Sequence, residues 1–368
     1  MKILINAVSA RAGGGVSYLV NMLQMLPQLC PQDNFLAAIP DIELPVAVSN
    51  QPNLTIKVVS EASGNVFQRY LWENIGLIRL CKEWQADRLL CVANIIPLVS
   101  PGIPVTVILR NVAPLTPRVF KLTRQYEPKL KLAQLYFLRM LTLYSARKSN
   151  AVISLSHATA ALLKKWVPEV NSPVLYHGIS SLFRPDAPKP ARVEGAPYFL
   201  YVSNLYVYKG LEYLVEALAA DRSLPKVFVA GKVFDSGYMK MIYELVQTKE
   251  VSERIEFLES VKYSELPGWY ANAAAMVYPS WCENCPNILL EAMACGCPIV
   301  AMNTGPMPEI CSDAGFYAKP FNAASLADAM HRAQICDRSE LSRRGIARAA
   351  GFTWEKAMQR HAEVLMGR

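Results

Sequence analysis

The sequence predicts an α/β protein made of two doubly wound, Rossmann-like domains facing each other across a cleft. Three observations predict it. The chain has 368 residues, more than one domain of about 150 residues accommodates. Short apolar runs alternate with helical periods from end to end, the pattern of parallel sheets covered on both faces. Residues 183–197 then break the texture with FRPDAPKPARVEGAP, four prolines and few large apolar side chains.

The elements follow in order. In the first half, residues 2–8, 36–40, 54–59, 88–92, 105–109 and 151–155 are short apolar runs that read as strands. After Gly15, the residues Val16, Leu19, Val20 and Leu23 recur at i, i+3, i+4 and i+7, one face of a helix. Ser156 reads as the N-cap of a later helix. The uncharged stretch 89–109 is long enough to raise a membrane span, but Pro97, Pro101, Gly102 and Pro104 interrupt it. It is expected to be two buried strands joined by turns. Beyond the Pro-rich break the alternation restarts with strands at 198–203, 226–231, 254–258, 274–279 and 298–302. The expected organisation is a first domain at 1–185, a linker at 186–197, a second domain at 198–351 and a closing segment at 352–368.

Composition narrows the function classes. With 52% hydrophobic and 18% charged residues, the chain has apolar material for sizeable cores and too little polarity for disorder. The N-terminus lacks a signal-peptide core. An odd count of nine cysteines suits reduced thiols better than a disulfide framework, so a cytoplasmic chain is expected. Cys282, Cys285, Cys295 and Cys297 make a CxxC and a CxC, but the CxC spacing is unusual for zinc; small buried thiols are the plainer reading.

Charge is uneven: residues 1–185 carry a net +10 and residues 186–368 a net −2. Between Arg118 and Lys148 eight cations face one acid, Glu127, with Leu130, Tyr136, Phe137 and Leu141 interleaved. Such a stretch suits a peripheral contact with an anionic membrane, or equally a solvated face over a core. No nucleic-acid motif accompanies it.

Chemistry is sought just beyond strand ends, where open α/β sheets bind ligands. The loop Ala10-Arg-Ala-Gly-Gly-Gly-Val-Ser brings Gly13, Gly14 and Gly15 to a helix start, where backbone N–H groups favour an anion. A tight turn explains it as well, and it is not the GxGxxG dinucleotide fingerprint. Lys209 precedes another helix start, where its ammonium and the amides can meet one phosphate. In Tyr278-Pro-Ser-Trp-Cys-Glu-Asn-Cys-Pro-Asn-Ile-Leu-Leu-Glu, Glu283 lies on a loop before a helix opened by Pro286, and Glu291 lies within the helix among Leu289, Leu290, Ala292 and Met293. A carboxylate in that apolar setting needs hydrogen-bond donors, and vicinal ribose hydroxyls are good ones. An acid favoured by the helix dipole plus a helix-face acid in solvent is the alternative; it explains Glu283 but is the weaker account of Glu291.

Glu283 and Glu291 have the E-x7-E spacing, and residues 279–298 resemble the donor site of retaining glycosyltransferases of family 4 (group 1), which have the GT-B fold. Further landmarks stand in the family's order: Ala12-Gly-Gly-Gly, Arg69-Tyr-Leu-Trp-Glu73, Asn111-Val-Ala-Pro, Tyr176-His-Gly-Ile, Lys209-Gly210, Gly305-Pro-Met-Pro-Glu309 and Phe352-Thr-Trp-Glu355. The resemblance implies an N-terminal acceptor-binding domain, a C-terminal nucleotide-sugar-binding domain, and a final helix crossing back to the first domain. It implies transfer of a hexosyl group from a nucleotide diphosphate sugar, with retention, to a saccharide or lipid-linked saccharide. Lys209 and Glu283 would be catalytic. Glu291 would hold the ribose, and the N–H groups of Asn287 and Ile288 the diphosphate. Gly13 to Gly15 would close the cleft from the acceptor side, with Gly14 and Gly15 touching the donor, and Asn111 would lie on the acceptor side.

Two departures matter. The family commonly has an arginine where this chain has Asn204, so either another basic residue such as Lys232 substitutes at the donor or phosphate binding is weaker. Many members also place a histidine near Arg110-Asn111; none of His157, His177, His331 and His361 fits, and no catalytic base is assigned. With no Asp-x-Asp motif, neither metal nor cofactor is expected. The expected setting is surface-polysaccharide synthesis (O-antigen, capsule or lipopolysaccharide) at the cytoplasmic face of the inner membrane. A sugar-nucleotide epimerase of the same fold and a non-catalytic nucleotide-sugar-binding module are the alternatives.

Overall fold

The computed structural model describes every residue except 12–13, 63–65, 194, 196, 259–260 and 368. Two compact units emerge. The first gathers Met1–Leu115, Tyr136–Gly178 and Thr353–Arg368; the second gathers 116–135 and Ile179–Phe352. Each holds a six-stranded sheet whose strand pairs are all parallel.

In the first unit, β1 (Lys2–Asn6), β2 (Asn34–Ile39), β3 (Leu54–Val58), β4 (Arg88–Cys91), β5 (Val105–Leu109) and β6 (Ala151–Ser154) lie in the order β3-β2-β1-β4-β5-β6. Ile3, Leu4 and Ile5 of β1 are wholly buried, the unbroken apolar run that a parallel strand covered on both faces requires. Ile3 pairs with Phe35 on one side and with Arg88 on the other. The strand order reverses between β1 and β4, so a crevice opens beyond Asn6 and Cys91.

The Pro-interrupted stretch 89–109 is β4 and β5, as expected, with Leu89 paired to Val105. Among the described residues no helix is long and apolar enough to cross a membrane. The helix Gly14–Leu29 buries Leu19 and Leu23 as its period predicts, but also Tyr18, Met22 and Leu26, while Val16 and Val20 stay half-buried. The stripe turns because Tyr18 has a partner from the far end of the chain. Its ring meets Trp354 edge-on at 5.7 Å, and its hydroxyl hydrogen-bonds His361 Nε2.

Both of those partners sit on the closing helix Trp354–Met366, whose N-cap Thr353 accepts from Lys356 N at 3.2 Å. His361 is wholly buried, and burial pushes its imidazole down to about 4, so it is neutral at pH 7. Ser156 caps the helix His157–Lys164 as expected, accepting from Thr159 N at 3.1 Å.

In the second unit, β7 (Tyr198–Val202), β8 (Lys226–Ala230), β9 (Ile255–Leu258), β10 (Ala275–Tyr278), β11 (Ile299–Met302) and β12 (Gly315–Ala318) lie in the order β12-β11-β10-β7-β8-β9. β12 is not foreseen from sequence. It is a four-residue edge strand that starts on glycine and keeps three residues half-buried, too short an apolar run to stand out.

Residues 116–135, expected within the first domain, pack in the second unit. Lys131 Nζ reaches Glu127 Oε2 at 2.9 Å, Asp235 Oδ1 at 2.8 Å and the Phe234 carbonyl at 2.7 Å. Glu127 Oε1 accepts from Tyr238 N at 3.1 Å. Gly237 lets the chain approach, since a Cβ there would stand 1.9 Å from the Tyr126 carbonyl oxygen. The acid that completes this cluster, Asp235, lies 104 residues from Lys131, beyond the reach of a local charge pattern.

All nine cysteines are free and eight are buried. Among the described residues no three or more His, Cys, Asp or Glu side chains converge as a metal would need.

Candidate active site at the strand reversal of the second sheet

The order of the second sheet reverses between β10 and β7, and the crevice beyond their carboxyl ends is where such sheets bind ligands. The loop after β7 carries Asn204 and Lys209, and the loop after β10 carries Glu283. Their backbones are tied: Trp281 N donates to the Tyr208 carbonyl at 3.2 Å, and Ser280 Oγ to the same oxygen at 3.2 Å. Gly210 makes that approach available. Its φ is +69°, and a Cβ there would come within 2.2 Å of the Pro279 carbonyl oxygen, so only glycine fits.

This brings Lys209 and Glu283 into contact across 74 residues of sequence. Lys209 Nζ is 2.6 Å from Glu283 Oε1 and donates to Tyr278 Oη at 2.8 Å, with both charged side chains 11% exposed. Glu283 Oε1 also accepts from Tyr278 Oη at 2.6 Å and Ser280 Oγ at 2.5 Å. Three donors on one carboxylate oxygen fix the acid in place. The ammonium also lies 5.3 Å and 5.4 Å from the ring centres of Tyr208 and Tyr278, a cation–π setting.

The Glu283 loop leads into the helix Asn287–Ala294, with Pro286 as its N-cap residue. Leu289 N bonds back to the Pro286 carbonyl at 3.0 Å. The amides of Asn287 and Ile288 stand ahead of it at the positive end of the helix dipole.

Glu291 lies one turn further in and is 6% exposed, which removes the solvent-facing reading. Its Oε1 accepts from Tyr263 Oη at 3.2 Å, while Oε2 is buried with no hydrogen-bond partner among the described residues. Burial pushes the carboxyl up to about 7, against the pull of the Tyr263 hydroxyl; the Tyr270 hydroxyl lies nearby but itself makes no hydrogen bond among the described residues.

The remaining sequence-predicted residues fall in several places. Asn204 and Lys232 are exposed on neighbouring loops joined through Leu205 N to the Lys232 carbonyl at 2.8 Å. Lys232 Nζ makes no hydrogen bond or ion pair among the described residues, so nothing ties this ammonium to Lys209. Gly14, Gly15 and Asn111 belong to the first unit. The Gly14 and Gly15 carbonyls accept from Arg110 at 3.0 and 3.5 Å. Asn111 Oδ1 accepts from Ala113 N at 3.0 Å in its own turn. Gly13 lies outside the described residues.

Sequence reasoning missed Tyr278, Ser280, Tyr263 and Arg118. The first two stand inside the E-x7-E context, and a tyrosine closing a strand just before the acid was a readable signal. Tyr263 comes from the loop after β9 and gave none. Arg118, grouped by sequence with the basic stretch, has its guanidinium 3.8 Å from the Phe321 ring centre and 5.5 Å from that of Trp281, and donates to Tyr213 Oη at 2.9 Å. A cleft of about 1090 Å³ in the second unit, lined by Arg184, Lys189, Arg192, Leu258, Val261 and Trp269 among others, contains none of Lys209, Glu283 and Glu291.

Comparison with known proteins bears on the family likeness and on the fold. Residues 183–350 match the family model described as glycosyl transferases group 1. Among curated relatives, the O-antigen chain mannosyltransferase B of Escherichia coli is 31% identical over 165 residues, 43% of this chain and 42% of that protein. The chain spans less than half the length of the curated relatives it matches. Sucrose-phosphate synthase from Thermosynechococcus elongatus superposes with a TM-score of 0.78 at 19% identity, covering 100% of this chain and 98% of that one. HepE of Anabaena, solved in complex with UDP-glucose, superposes with a TM-score of 0.70 at 19% identity, covering 100% of both chains. At such identities the likeness establishes the fold, the two-domain Rossmann-like GT-B fold. Residues 183–350, with Lys209, Glu283 and the Glu291 helix among them, are thus similar to the group 1 glycosyl transferases over somewhat less than half of the chain.

Proposed function

We propose that the chain is a retaining glycosyltransferase that moves a hexosyl group from a nucleotide diphosphate sugar to a hydroxyl of a saccharide or lipid-linked saccharide, without a divalent metal. The observation that carries this reading is the orphaned Oε2 of Glu291, buried on the helix that begins beside the Lys209–Glu283 loop. The vicinal hydroxyls of a ribose supply the donors that oxygen lacks. A diphosphate placed from that ribose meets the Asn287 and Ile288 amides and the Lys209 ammonium, each charge-assisted contact being worth about 1.5–3 kcal/mol. Glu283, held by three donors, faces the hexose. Gly14, Gly15, Asn204 and Lys232 are assigned to the donor and Asn111 to the acceptor side on the family resemblance alone.

In the reaction the acceptor oxygen bonds to the anomeric carbon on the face from which the leaving group departs. The bond from that carbon to the phosphate oxygen breaks, and the hydroxyl proton passes to the departing oxygen. Charge develops on the diphosphate, and preorganised donors that wait there, Lys209 and the helix start, are the largest source of rate. No metal is needed if these groups suffice, and the chain has no Asp-x-Asp to hold one against a diphosphate.

The O-antigen enzyme among the relatives supports an acceptor in surface-polysaccharide assembly. The helix Lys129–Lys148 supports membrane contact at the cytoplasmic face. Leu130, Tyr136, Phe137 and Met140 are 69%, 44%, 44% and 68% exposed. At about 100° per residue they fall within roughly a third of the circumference, together with Lys129 and Arg147.

Donor consumption by the purified protein tests the proposal, measured with and without lipid-linked and free oligosaccharide acceptors, and in excess EDTA. The expected result is transfer that requires acceptor and persists in EDTA. An isomerised sugar without acceptor indicates an epimerase, binding without consumption indicates a binding module, and EDTA inhibition reversed by magnesium refutes the metal-free mechanism.

A further inference from the structure

The first unit holds a buried acid that the proposed mechanism does not use. Glu73 lies in the π-helical turn Trp72–Gly76 and is 4% exposed; such widened turns recur at functional sites. It stands at the crevice beyond β1 and β4. The Asn6 side chain, at the end of β1, lies beside the Glu73 carboxyl and the thiol of Cys91, at the end of β4. Asn6 Oδ1 is itself buried with no hydrogen-bond partner among the described residues. Arg69, one turn before Glu73, and Arg11, on the loop after β1, supply positive charge. Even so, burial outweighs both guanidinium groups and pushes the Glu73 carboxyl up to about 7.

An apolar or amide side chain would fill this volume without the cost of a sheltered charge, so packing alone does not account for the acid. The chemistry on offer is two carboxyl oxygens and an orphaned amide oxygen as acceptors, with guanidinium donors nearby. An anion brings no donor for the orphaned Oδ1, a cation is repelled by the two arginines, and an apolar group would leave Oδ1 orphaned. A neutral polyol fits, because each hydroxyl both donates and accepts.

We propose that Glu73 and Asn6 form a hydroxyl clamp that takes two neighbouring hydroxyls of the acceptor saccharide and so sets acceptor specificity. This rests on the transferase reading for its role in the reaction, but not for the binding itself. The test measures binding of a panel of mannose-, glucose-, galactose- and N-acetylglucosamine-terminated oligosaccharides to the wild type, Glu73→Gln and Asn6→Ser. Transfer kinetics and acceptor-independent donor hydrolysis are followed in parallel.

Glu73→Gln should weaken binding of the best oligosaccharide, and raise its KM, at least tenfold. The donor KM and donor hydrolysis should stay within twofold of wild type, a split that a general loss of structure would not produce. Should Glu73→Gln not fold, Asn6→Ser, which removes the orphaned oxygen, carries the same expectation. Oligosaccharide binding within twofold of wild type in a folded variant overturns the clamp, as does a wild type that binds none of the panel. Binding that depends on Glu73 in a protein that consumes no donor upholds the clamp and refutes the transferase reading.

Discussion

Replacing Glu291 by glutamine separates what this acid does for the free protein from what it does for a nucleotide. Glutamine keeps the shape and cannot ionise. The carboxyl rises from 4.5 to about 7 through burial, which at about 1.4 kcal/mol per pH unit withholds about 3 kcal/mol of stability from the free protein above pH 7. The sign follows from proton binding. Below about pH 4.5 folded and unfolded chains are both protonated and no penalty exists. Between about 4.5 and 7 the unfolded chain releases its proton while the folded chain keeps it, so stability falls as pH rises. Above about 7 the penalty is complete.

Glu291→Gln should therefore be more stable than wild type by up to about 3 kcal/mol at pH 8, with the difference shrinking towards zero at pH 5. Its nucleotide affinity should move the other way. Losing charge-assisted bonds worth about 1.5–3 kcal/mol weakens binding ten- to a hundredfold. Denaturant midpoints at pH 5, 6, 7 and 8, with calorimetric titration of UDP, GDP and ADP, check both halves. A variant no more stable than wild type at pH 8, with unchanged nucleotide affinity, refutes the reasoning.

Lys209→Ala should lower kcat by two to three orders of magnitude, the usual size for a preorganised electrostatic contact (about 10²–10³). Circular dichroism would confirm the fold, since Glu283 keeps Tyr278 and Ser280 as partners. Unchanged turnover in the folded variant removes Lys209 from the mechanism. Vesicles containing anionic lipid should sediment the protein at low ionic strength and release it at high salt, where surface charges are screened. Failure to sediment at low salt makes the face of Lys129–Lys148 a solvated one.

Much of the fold was legible because parallel strands buried on both sides must be continuous apolar runs. That is why stretches such as 105–109 and 198–203 announced themselves. β12 did not, being a half-buried edge strand of four residues starting on glycine. The packing of 116–135 with the second unit was hidden as well, since Lys131 finds Asp235 only in three dimensions.

At the candidate site, Glu291 was conspicuous as an acid among Leu289, Leu290, Ala292 and Met293, and its burial agrees with that reading. Its tyrosine partner, Tyr263, was invisible because it arrives from another strand's loop. Asn111 has a local role that a linear pattern does not show: its Oδ1 accepts from Ala113 N in its own turn. Glu73 belonged to a motif visible in the sequence, yet only the folded chain shows it meeting Asn6 at the strand reversal.

A crystal structure with a bound nucleoside diphosphate tests the central claim most directly. The account predicts the ribose hydroxyls within hydrogen-bonding distance of Glu291 Oε2, and the diphosphate between Lys209 Nζ and the amides of Asn287 and Ile288. A well-ordered nucleotide bound elsewhere, with these groups untouched, would contradict it.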